Sequence, residues 1–315
     1  MKILTLWFWA FWFAINKMLW ENNPEQILYV YELNKELIDF VQKSRQHLYF
    51  FPWHELPKNV IIIDDYNDII KEIDLLIIAI PTQFISSSMN SIKDKLKTGV
   101  TILNLAKWID IKYNKPISEM IDEILKWKEY NYSILSWWMI ASEVVEWKML
   151  WADLWIKNIV IWNKIKLLLQ SNFLKIKIQT NIVNIELYGS LKNIMAIMVW
   201  YYEWKWLEKS SIGYYLVDFY DEMKEIIKLY WWSKDLDFSY YSLGWDIVAT
   251  CFGNSRNRYF WQLLWSWKDI MEVLNILKSE KKHAEWYETL KAVYEKVKDK
   301  KWFYNIKFLY WLVEI

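Results

Sequence analysis

Short apolar runs alternate along the first 183 residues with stretches in which apolar positions recur every three or four residues. The runs are typical of buried strands, and the spaced stretches are typical of helices with one buried face. Strands are predicted at 2–6, 27–31, 60–63, 75–80, 100–105 and 132–135, and helices at 10–22, 35–44, 66–72, 84–96 and 117–126. Strands that alternate with helices predict a doubly wound parallel sheet covered on both faces.

Beyond about residue 184 the strand pattern stops. Helical spacing continues at 186–202, 212–230, 258–264, 269–277 and 288–298. We therefore predict an α/β domain over residues 1–183 and an all-α domain over residues 184–315. Ligands of open parallel sheets bind beyond the carboxyl ends of the strands, so candidate chemistry is sought at those ends.

The stretch after the first predicted strand has tryptophan at three spaced positions, Trp7, Trp9 and Trp12. Their intervals are those of G-x-G-x-x-G, the turn that holds a dinucleotide between a strand and a helix in Rossmann-type domains. The chain has 25 tryptophans and only 5 glycines, whereas globular chains contain about 7% glycine. We interpret most of the tryptophans as glycines encoded by UGA codons.

Net charge, the apolar run near the N-terminus and the cysteine content limit the partners and the cellular location that we expect. The net charge of +1 gives no electrostatic reason to expect nucleic acid. The apolar run at 3–15 begins like a secretory signal, but it is shorter than a membrane span of about 20 residues and no small-residue cleavage site follows. We therefore expect no stable membrane insertion. The one cysteine, Cys251, permits no internal disulfide and favours a reducing cytoplasm.

Glu32 ends the second predicted strand and follows Trp12 by about 20 residues. A carboxylate at that distance hydrogen-bonds the ribose diol of NAD in dinucleotide-binding domains. It would repel a 2′-phosphate, so we expect NAD, with NADP as the alternative. The other interpretation of Glu32 is a solvated acid at the end of a strand.

Two later strand ends also carry candidate ligands. The 100–105 strand ends in N-L-A-K-W, and the 132–135 strand runs into S-W-W-M-I-A-S-E. Lys107, in the first motif, is either a cofactor ligand or a solvated surface charge. Trp137 and Trp138, in the second, are hard to pack side by side, whereas two glycines would let the backbone approach a ligand closely.

The second domain contains one unusual lysine and a basic run. Lys192 lies inside the otherwise apolar 186–202 helix. Such a lysine usually extends its ammonium to solvent; the alternative is a buried general base, because desolvation lowers the pKa of an ammonium. Arg256 and Arg258 belong to the run S-R-N-R at a predicted helix start, which suits a phosphate. No metal is expected, since no His, Cys and Asp cluster has ligand spacing.

Several motifs follow one another along the chain: the Trp7, Trp9 and Trp12 turn, Ile80-Pro81, Lys107-Trp108, Ser136-Trp137, Leu191-Lys192-Asn193, Trp245-Asp246 with Thr250-Cys251, Ser255-Arg256-Asn257-Arg258, and Glu285-Trp286. In this order the motifs resemble those of the bacterial-type NAD(P)-dependent glycerol-3-phosphate dehydrogenases, and the resemblance extends almost to the C-terminus. The resemblance implies reversible reduction of dihydroxyacetone phosphate to sn-glycerol 3-phosphate, which feeds glycerophospholipid synthesis. It also allows a homodimer.

The resemblance further implies roles for individual residues. Lys192 is expected to exchange the proton of the substrate hydroxyl, with Asp246 as its hydrogen-bonding neighbour. Substrate contacts are implied for Lys107, Trp137, Met139, Ser255, Arg256 and Asn257. Cofactor contacts are implied for Trp7, Trp9, Ala10, Phe11, Trp12, Glu32, Lys107, Ala141, Arg256 and Glu285.

One residue departs from the family pattern, and two other functions are alternatives to a glycerol-3-phosphate dehydrogenase. Met139 replaces the threonine that the family usually has, which removes a hydroxyl from the substrate side. A ketopantoate reductase or another enzyme similar to 6-phosphogluconate dehydrogenase would share the turn, the sheet and a lysine-bearing helical domain, but the S-R-N-R run and Trp245-Asp246 favour the glycerol phosphate enzyme. A tryptophan-rich binder of carbohydrate or of a membrane interface would need its indoles on one face. Instead, apart from adjacent pairs such as Trp137-Trp138, they stand singly beside turn-forming residues.

Overall fold

A computed structural model describes residues 1–8, 10–106, 109–110, 115–138, 141–230, 240, 243–244, 246–252, 256–266, 268–279 and 285–314. The chain forms two compact units. The first comprises Met1–Lys107 and Ile117–Ile182, and the second comprises Trp108–Pro116 and Val183–Ile315.

The described residues form ten strands. They are β1 (Ile3–Leu6), β2 (Leu28–Tyr31), β3 (Val60–Ile63), β4 (Leu75–Ile78), β5 (Val100–Asn104), β6 (Ile109–Asp110), β7 (Lys115–Pro116), β8 (Tyr130–Trp138), β9 (Leu150–Ile156) and β10 (Leu174–Ile178). Eight of these strands form one sheet in the order β10-β9-β8-β5-β4-β1-β2-β3, while β6 and β7 pair as a hairpin. The strand order reverses between β1 and β4, which is where such sheets open a crevice for a ligand.

The predicted parallel sheet is confirmed over six strands. Ile3 of β1 pairs in parallel register with Leu28 on one side and Leu75 on the other, and the parallel pairing continues outward to β3 and β8. Beyond β8 the direction changes, because β9 runs antiparallel to β8 while β10 runs parallel to β9. The apolar side chains of these strands form the buried core of the unit.

Helices pack around this sheet and make up most of the second unit. They are α1 (Ala10–Asn22), α2 (Lys35–Ser44), α3 (Thr82–Ile92), α4 (Ile117–Ile124), α5 (Ala141–Val145), α6 (Ile159–Leu169), α7 (Ile182–Trp204), α8 (Lys209–Tyr230), α9 (Asp246–Phe252), α10 (Arg256–Trp265), α11 (Ile270–Ser279), α12 (Glu285–Val297) and α13 (Tyr304–Glu314). Where the structure is described, no helix has both the length and the apolar character needed to cross a membrane.

The helix predicted at 66–72 is wrong, because this segment is a succession of turns. Ile69 N–H donates to Tyr66 O at 3.1 Å and Glu72 N–H donates to Ile69 O at 2.9 Å. Just before them, the Asp65 carboxylate accepts from Asn67 N–H at 2.8 Å. Ile70 N–H also donates to Tyr66 O at 2.9 Å, which makes one helical turn that the following residues do not continue as a helix.

The pattern predicts no element between 136 and 183, where the structure has α5, β9, α6 and β10. The middle of β9 is Asp153, a charged residue that interrupts the apolar run yet is fully buried. Its Oδ1 accepts from Gln179 Nε2 at 2.6 Å. Because the partner comes from beyond the next strand, the residues around Asp153 give no sign that its burial is compensated.

Two helices end in a motif that normally contains glycine. At the end of α7, Trp206 N–H donates to Glu203 O at 3.0 Å and Leu207 N–H donates to Tyr202 O at 3.1 Å. These bonds form a Schellman motif, and its left-handed residue is Trp206, with a φ of 58°. Helix α5 ends in the same motif with Trp147 at a φ of 59°. Glycine is the usual residue here because it lacks the Cβ that makes this conformation strained.

A third tryptophan occupies a glycine position in the loop between α2 and β3. His54 N–H donates to Phe51 O at 3.1 Å, which closes a turn over Pro52 and Trp53. Trp53 has a φ of 77°. A turn with proline in its second position and a positive φ in its third is of type II, and glycine is preferred in that third position.

Candidate active site

Trp7 follows β1 and begins the turn into α1. Its φ of 77° lies in the left-handed region that favours glycine, and its N–H donates to Tyr31 O at the end of β2, at 2.8 Å. Trp9 lies outside the described residues. The other predicted cofactor contacts of this turn, Ala10, Phe11 and Trp12, form the first turn of α1, and their side chains are outside the described part. Unpaired backbone N–H groups at a helix start suit an anion.

Glu32 follows β2 with its side chain buried, so it is not the solvated acid of the alternative interpretation. Its Oε2 accepts from Phe8 N–H in the first turn at 3.2 Å. Its Oε1 accepts from Leu33 N–H at 2.8 Å and from Asn34 N–H at 2.9 Å. A carboxylate has about four lone-pair positions, so roughly one remains for a ribose hydroxyl.

His47 also contacts this turn, and no motif in the sequence predicted this contact. Its Nε2 lies 3.2 Å from Phe8 O. Its ring packs 5.0 Å from the ring of Phe8 and 4.8 Å from that of Phe50, measured between centroids. Burial lowers the pKa of His47 to about 4, so the imidazole is neutral at physiological pH. The available signal was a histidine beside a run of aromatic residues.

A cavity of about 340 Å³ lies at the carboxyl ends of β1, β2 and β4, beside the reversal of strand order. Trp7 contributes to its wall from the first turn, and Tyr31 and Leu33 contribute from the two positions flanking Glu32. Hydroxyl groups come from Ser87 and Ser88 on α3. Apolar walls with a few polar groups at this place fit the adenosine half of a dinucleotide.

The later strand ends are described in part. Asn104 ends β5, and its Oδ1 accepts from Ala106 N–H at 3.0 Å, which shapes the chain leading to Lys107. Lys107 itself lies outside the described residues. Trp137 lies on β8 opposite Ala152, with its side chain not described. Met139 lies outside the described residues. Ala141 is the first residue of α5, and its side chain is half-buried.

In the second unit, the predicted catalytic residues Lys192 and Asp246 are in direct contact. Lys192 on α7 is 3% exposed and Asp246 at the start of α9 is fully buried, and Lys192 Nζ makes an ion pair with Asp246 Oδ2. Thr250, one turn along α9, donates from Oγ1 to Asp246 Oδ1 at 2.9 Å. The lysine therefore does not extend to solvent. Its ammonium is held by a carboxylate whose second oxygen is also occupied.

The remaining predicted residues stand at helix starts. Arg256 is the first residue of α10, with Asn257 next to it, and Glu285 is the first residue of α12. Their side chains lie outside the described part, as does the whole of Ser255. A helix start provides backbone donors for a phosphate, but the contacts of these side chains stay predictions.

The structure thus brings the predicted residues together in two groups. Trp7 and Glu32 meet in the first unit through the backbone of the first turn, and Lys192 and Asp246 meet in the second. Within the described residues, no group of three His, Cys, Asp or Glu side chains could hold a metal ion.

Comparison with known proteins gives a consistent result across both units. The family model described as NAD-dependent glycerol-3-phosphate dehydrogenase N-terminus matches residues 9–154. The corresponding C-terminus model matches residues 181–311. The human cytoplasmic glycerol-3-phosphate dehydrogenase [NAD(+)] is 28% identical over 180 residues, which are 56% of this chain and 51% of the human protein. The chain therefore spans about half the length of the curated relatives it matches.

Solved structures show the same fold. A glycerol-3-phosphate dehydrogenase from Plasmodium falciparum superposes with a TM-score of 0.89 at 21% identity, covering 99% of this chain and 91% of that one. A ketopantoate reductase from Ralstonia eutropha reaches a TM-score of 0.64 at 12% identity, covering 100% of this chain and 97% of that one. The two family matches span most of the residues of both units, and the chain belongs to the NAD-dependent glycerol-3-phosphate dehydrogenase family.

Proposed function

We propose that this chain catalyses the reversible, NAD-dependent reduction of dihydroxyacetone phosphate to sn-glycerol 3-phosphate. The observation that carries the proposal is the buried pair of Lys192 and Asp246 within the C-terminal family region. A lysine and a carboxylate taken out of water together are costly to maintain. The burial of Lys192 on a largely apolar helix, paired with Asp246 of another helix, is explained by a chemical role for the ammonium.

In this proposal Lys192 is the acid and base of the reaction. When bound, NADH would supply the hydride for C2 of the substrate. Lys192 Nζ donates a proton to the oxygen on C2 as negative charge develops there, and it accepts that proton in the reverse reaction. Asp246 holds the ammonium in place, and the hydrogen bond from Thr250 restrains the carboxylate. Proton transfer from a positioned group contributes roughly 10²–10⁴-fold in rate.

Recognition is divided among the other predicted residues. We assign the ribose of NAD to Glu32 and the pyrophosphate to the turn of Trp7, Trp9 and Trp12 with Ala10 and Phe11. Further cofactor contacts are assigned to Lys107, Ala141, Arg256 and Glu285. Substrate contacts are assigned to Lys107, Trp137, Met139, Ser255, Arg256 and Asn257. The start of α10 supports a phosphate site, because backbone donors there add to the guanidinium of Arg256.

We also propose that the natural protein has glycine at most of the positions where tryptophan stands. Among the non-glycine residues that the structure describes, six have a positive φ, and four of these are tryptophans: Trp7, Trp53, Trp147 and Trp206. One begins the cofactor turn, one is the third residue of a type II turn, and two end helices in Schellman motifs. Each is a position where the backbone conformation selects glycine.

The surroundings of other tryptophans support the same proposal. Trp53, Trp127, Trp206 and Trp302 are the most exposed in the described ranges, and all four lie in turns rather than on a shared binding element. Conversely, the structure shows no acceptor for the buried indole N–H of Trp20, Trp162 or Trp286, within the residues it describes. Such a donor normally finds a partner when buried. Trp200 differs, since its Nε1 donates to Cys251 O at 2.5 Å.

We further propose a cytoplasmic enzyme that forms a homodimer. The location is supported by the name of the human relative, which is the cytoplasmic enzyme. It agrees with the single cysteine, Cys251, which is buried and unpaired with another cysteine. Light scattering of the purified protein tests the dimer.

The test of activity uses protein made by native decoding of the gene, so that each UGA codon yields the residue that the cell inserts. We expect reduction of dihydroxyacetone phosphate with NADH and none of ketopantoate with NADPH. Lys192→Met should lower kcat at least about 100-fold. Lys228→Met is the matched control, because Lys228 pairs with Glu225 on the exposed face of α8. Turnover of ketopantoate alone would favour the alternative enzyme.

A further inference from the structure

The backbone of Phe8, the residue after Trp7, is held on both sides by buried side chains. Its N–H donates to Glu32 Oε2 at 3.2 Å. Its carbonyl oxygen lies 3.2 Å from His47 Nε2. Phe8 thus connects two peptide units of the first turn to groups that follow it in sequence by more than twenty residues.

The contact of Nδ1, the second ring nitrogen of His47, shows which of the two ring nitrogens carries the hydrogen. Tyr49 N–H donates to His47 Nδ1 at 3.1 Å, so Nδ1 is the acceptor. The neutral imidazole therefore carries its hydrogen on Nε2 and donates it to Phe8 O. Both ring nitrogens are satisfied, and the ring is buried among Phe8, Phe13 and Phe50.

The loop that carries His47 is itself tied down at its ends. Leu56 N–H donates to Arg45 O at 2.7 Å, and Gln46 and Glu55 form an isolated bridge. The Arg45 guanidinium donates to Val60 O at 2.9 Å and to Pro57 O. The loop at 46–56 is therefore a closed unit whose ends are fixed beside β3, and it presents His47 from a defined position.

We infer that His47 is a positioning residue for the cofactor turn: with Glu32 it holds the main chain of Phe8 in the orientation that receives the dinucleotide. The inference rests on the proposed function, because it assumes that this turn binds NAD. Peptide units are planar, so holding the Phe8 carbonyl also fixes the plane of the peptide unit that follows it. Fixing that plane before binding reduces the conformational entropy lost when phosphate is bound.

Two substitutions of His47 distinguish a role in positioning the Phe8 backbone from a role in packing alone. His47→Gln retains a donor near the place of Nε2, whereas His47→Asn retains only an acceptor near the place of Nδ1. We expect His47→Asn to weaken NADH binding about tenfold, by the loss of one buried hydrogen bond. His47→Gln should recover most of that loss. In both variants kcat at saturating NADH should change little, since His47 contacts neither reacting group.

The measurement is a titration with NADH alone, followed by kinetics with dihydroxyacetone phosphate and a thermal melt of each variant. His54→Gln, in the same loop, is the matched control. Equal NADH affinity in the Gln and Asn variants, or a lowered Tm with unchanged affinity, would overturn the inference. Failure of the unsubstituted protein to reduce dihydroxyacetone phosphate would instead overturn the proposed function. The two failures are distinguishable, because NADH binding is measured without substrate.

Discussion

The buried imidazole of His47 links stability to pH. Burial lowers its pKa to about 4, against 6.5 in an exposed histidine. Between these two pH values His47 binds a proton in the unfolded chain but not in the folded chain. Stability is therefore fully present above pH 6.5 and is lost as the pH falls through 4, by roughly 3 kcal/mol in total.

This prediction is checked by denaturant unfolding at a series of pH values between 7 and 4. Carboxylates titrate in the same range, so the informative quantity is the difference between the unsubstituted protein and His47→Gln. We expect that difference to shrink or change sign towards acid pH, since the variant has no imidazole to protonate. A difference that stays constant with pH would show that His47 takes up its proton equally in both states.

Glu32 and His47 differ in how far the sequence could identify them. Glu32 was predictable because its distance from the first turn is set by the length of one strand-helix-strand unit. Its bond to Phe8 N–H was not, and neither was His47, whose partner is a backbone carbonyl. Every residue type has a backbone carbonyl, so the sequence does not show which carbonyl a side chain will bind. Side chains that bind backbone are therefore not identified by motifs.

At the scale of single elements, α13 depends on a neighbouring helix for its N-terminal cap. Phe303 precedes the helix and has no side-chain acceptor. Glu222 of α8 replaces it: Oε2 accepts from Asn305 N–H and Oε1 from Ile306 N–H, both at 2.9 Å. We expect Glu222→Ala to lower the free energy of unfolding by about 2 kcal/mol, because it leaves helix-start donors buried and unpaired.

The measurement is denaturant unfolding, and the matched control is Glu225→Ala. Glu225 lies on the same helix but is exposed and pairs with Lys228 at the surface. Its removal should change stability by less than about 0.5 kcal/mol. Equal effects of the two substitutions would mean that the carboxylate of Glu222 does not stabilise the start of α13.

The helix ends allow a direct test of the tryptophan proposal, using the chain as printed. Trp206→Gly should raise stability by about 1 kcal/mol, because it removes a Cβ from the left-handed residue of a Schellman motif. Trp127 is matched to it: the two are 89% and 91% exposed, both in turns, but Trp127 has no positive φ. Trp127→Gly should therefore give no gain. A stabilisation of equal size at both sites would point to solubility rather than backbone conformation.

Elements with regular apolar spacing were predicted closely, whereas those stabilised from elsewhere were not. The bounds of α1, α2 and β3 agree with the pattern to the residue. By contrast, β9 has a buried Asp153 that accepts a hydrogen bond from Gln179, beyond the next strand, and α13 begins without a cap of its own. In both cases the compensating group lies far along the chain, so local pattern gives no sign of it.

At the scale of the whole molecule, the family could be inferred because its motifs occur in order along both units. Each motif is weak alone, and in our proposal tryptophan stands at many of the positions where the natural protein has glycine. The motifs are identified by their spacing along the chain, which is the same whether tryptophan or glycine occupies each position. The structure adds an independent criterion, since backbone conformation also selects glycine at four described tryptophans.

The last prediction concerns the identity of the natural polypeptide. Protein made by native decoding should have an intact mass and an ultraviolet absorbance far below those of a chain with 25 indoles, and it should reduce dihydroxyacetone phosphate with NADH. The same gene read with UGA as tryptophan should give an inactive product. An indole buries about 150–250 Å², and in the first turn it competes with the cofactor phosphates for space against the main chain. Peptide mapping then assigns each position separately, including Trp200, whose N–H is satisfied. An active native product that retains its indoles would show that the turn binds NAD by contacts other than bare backbone.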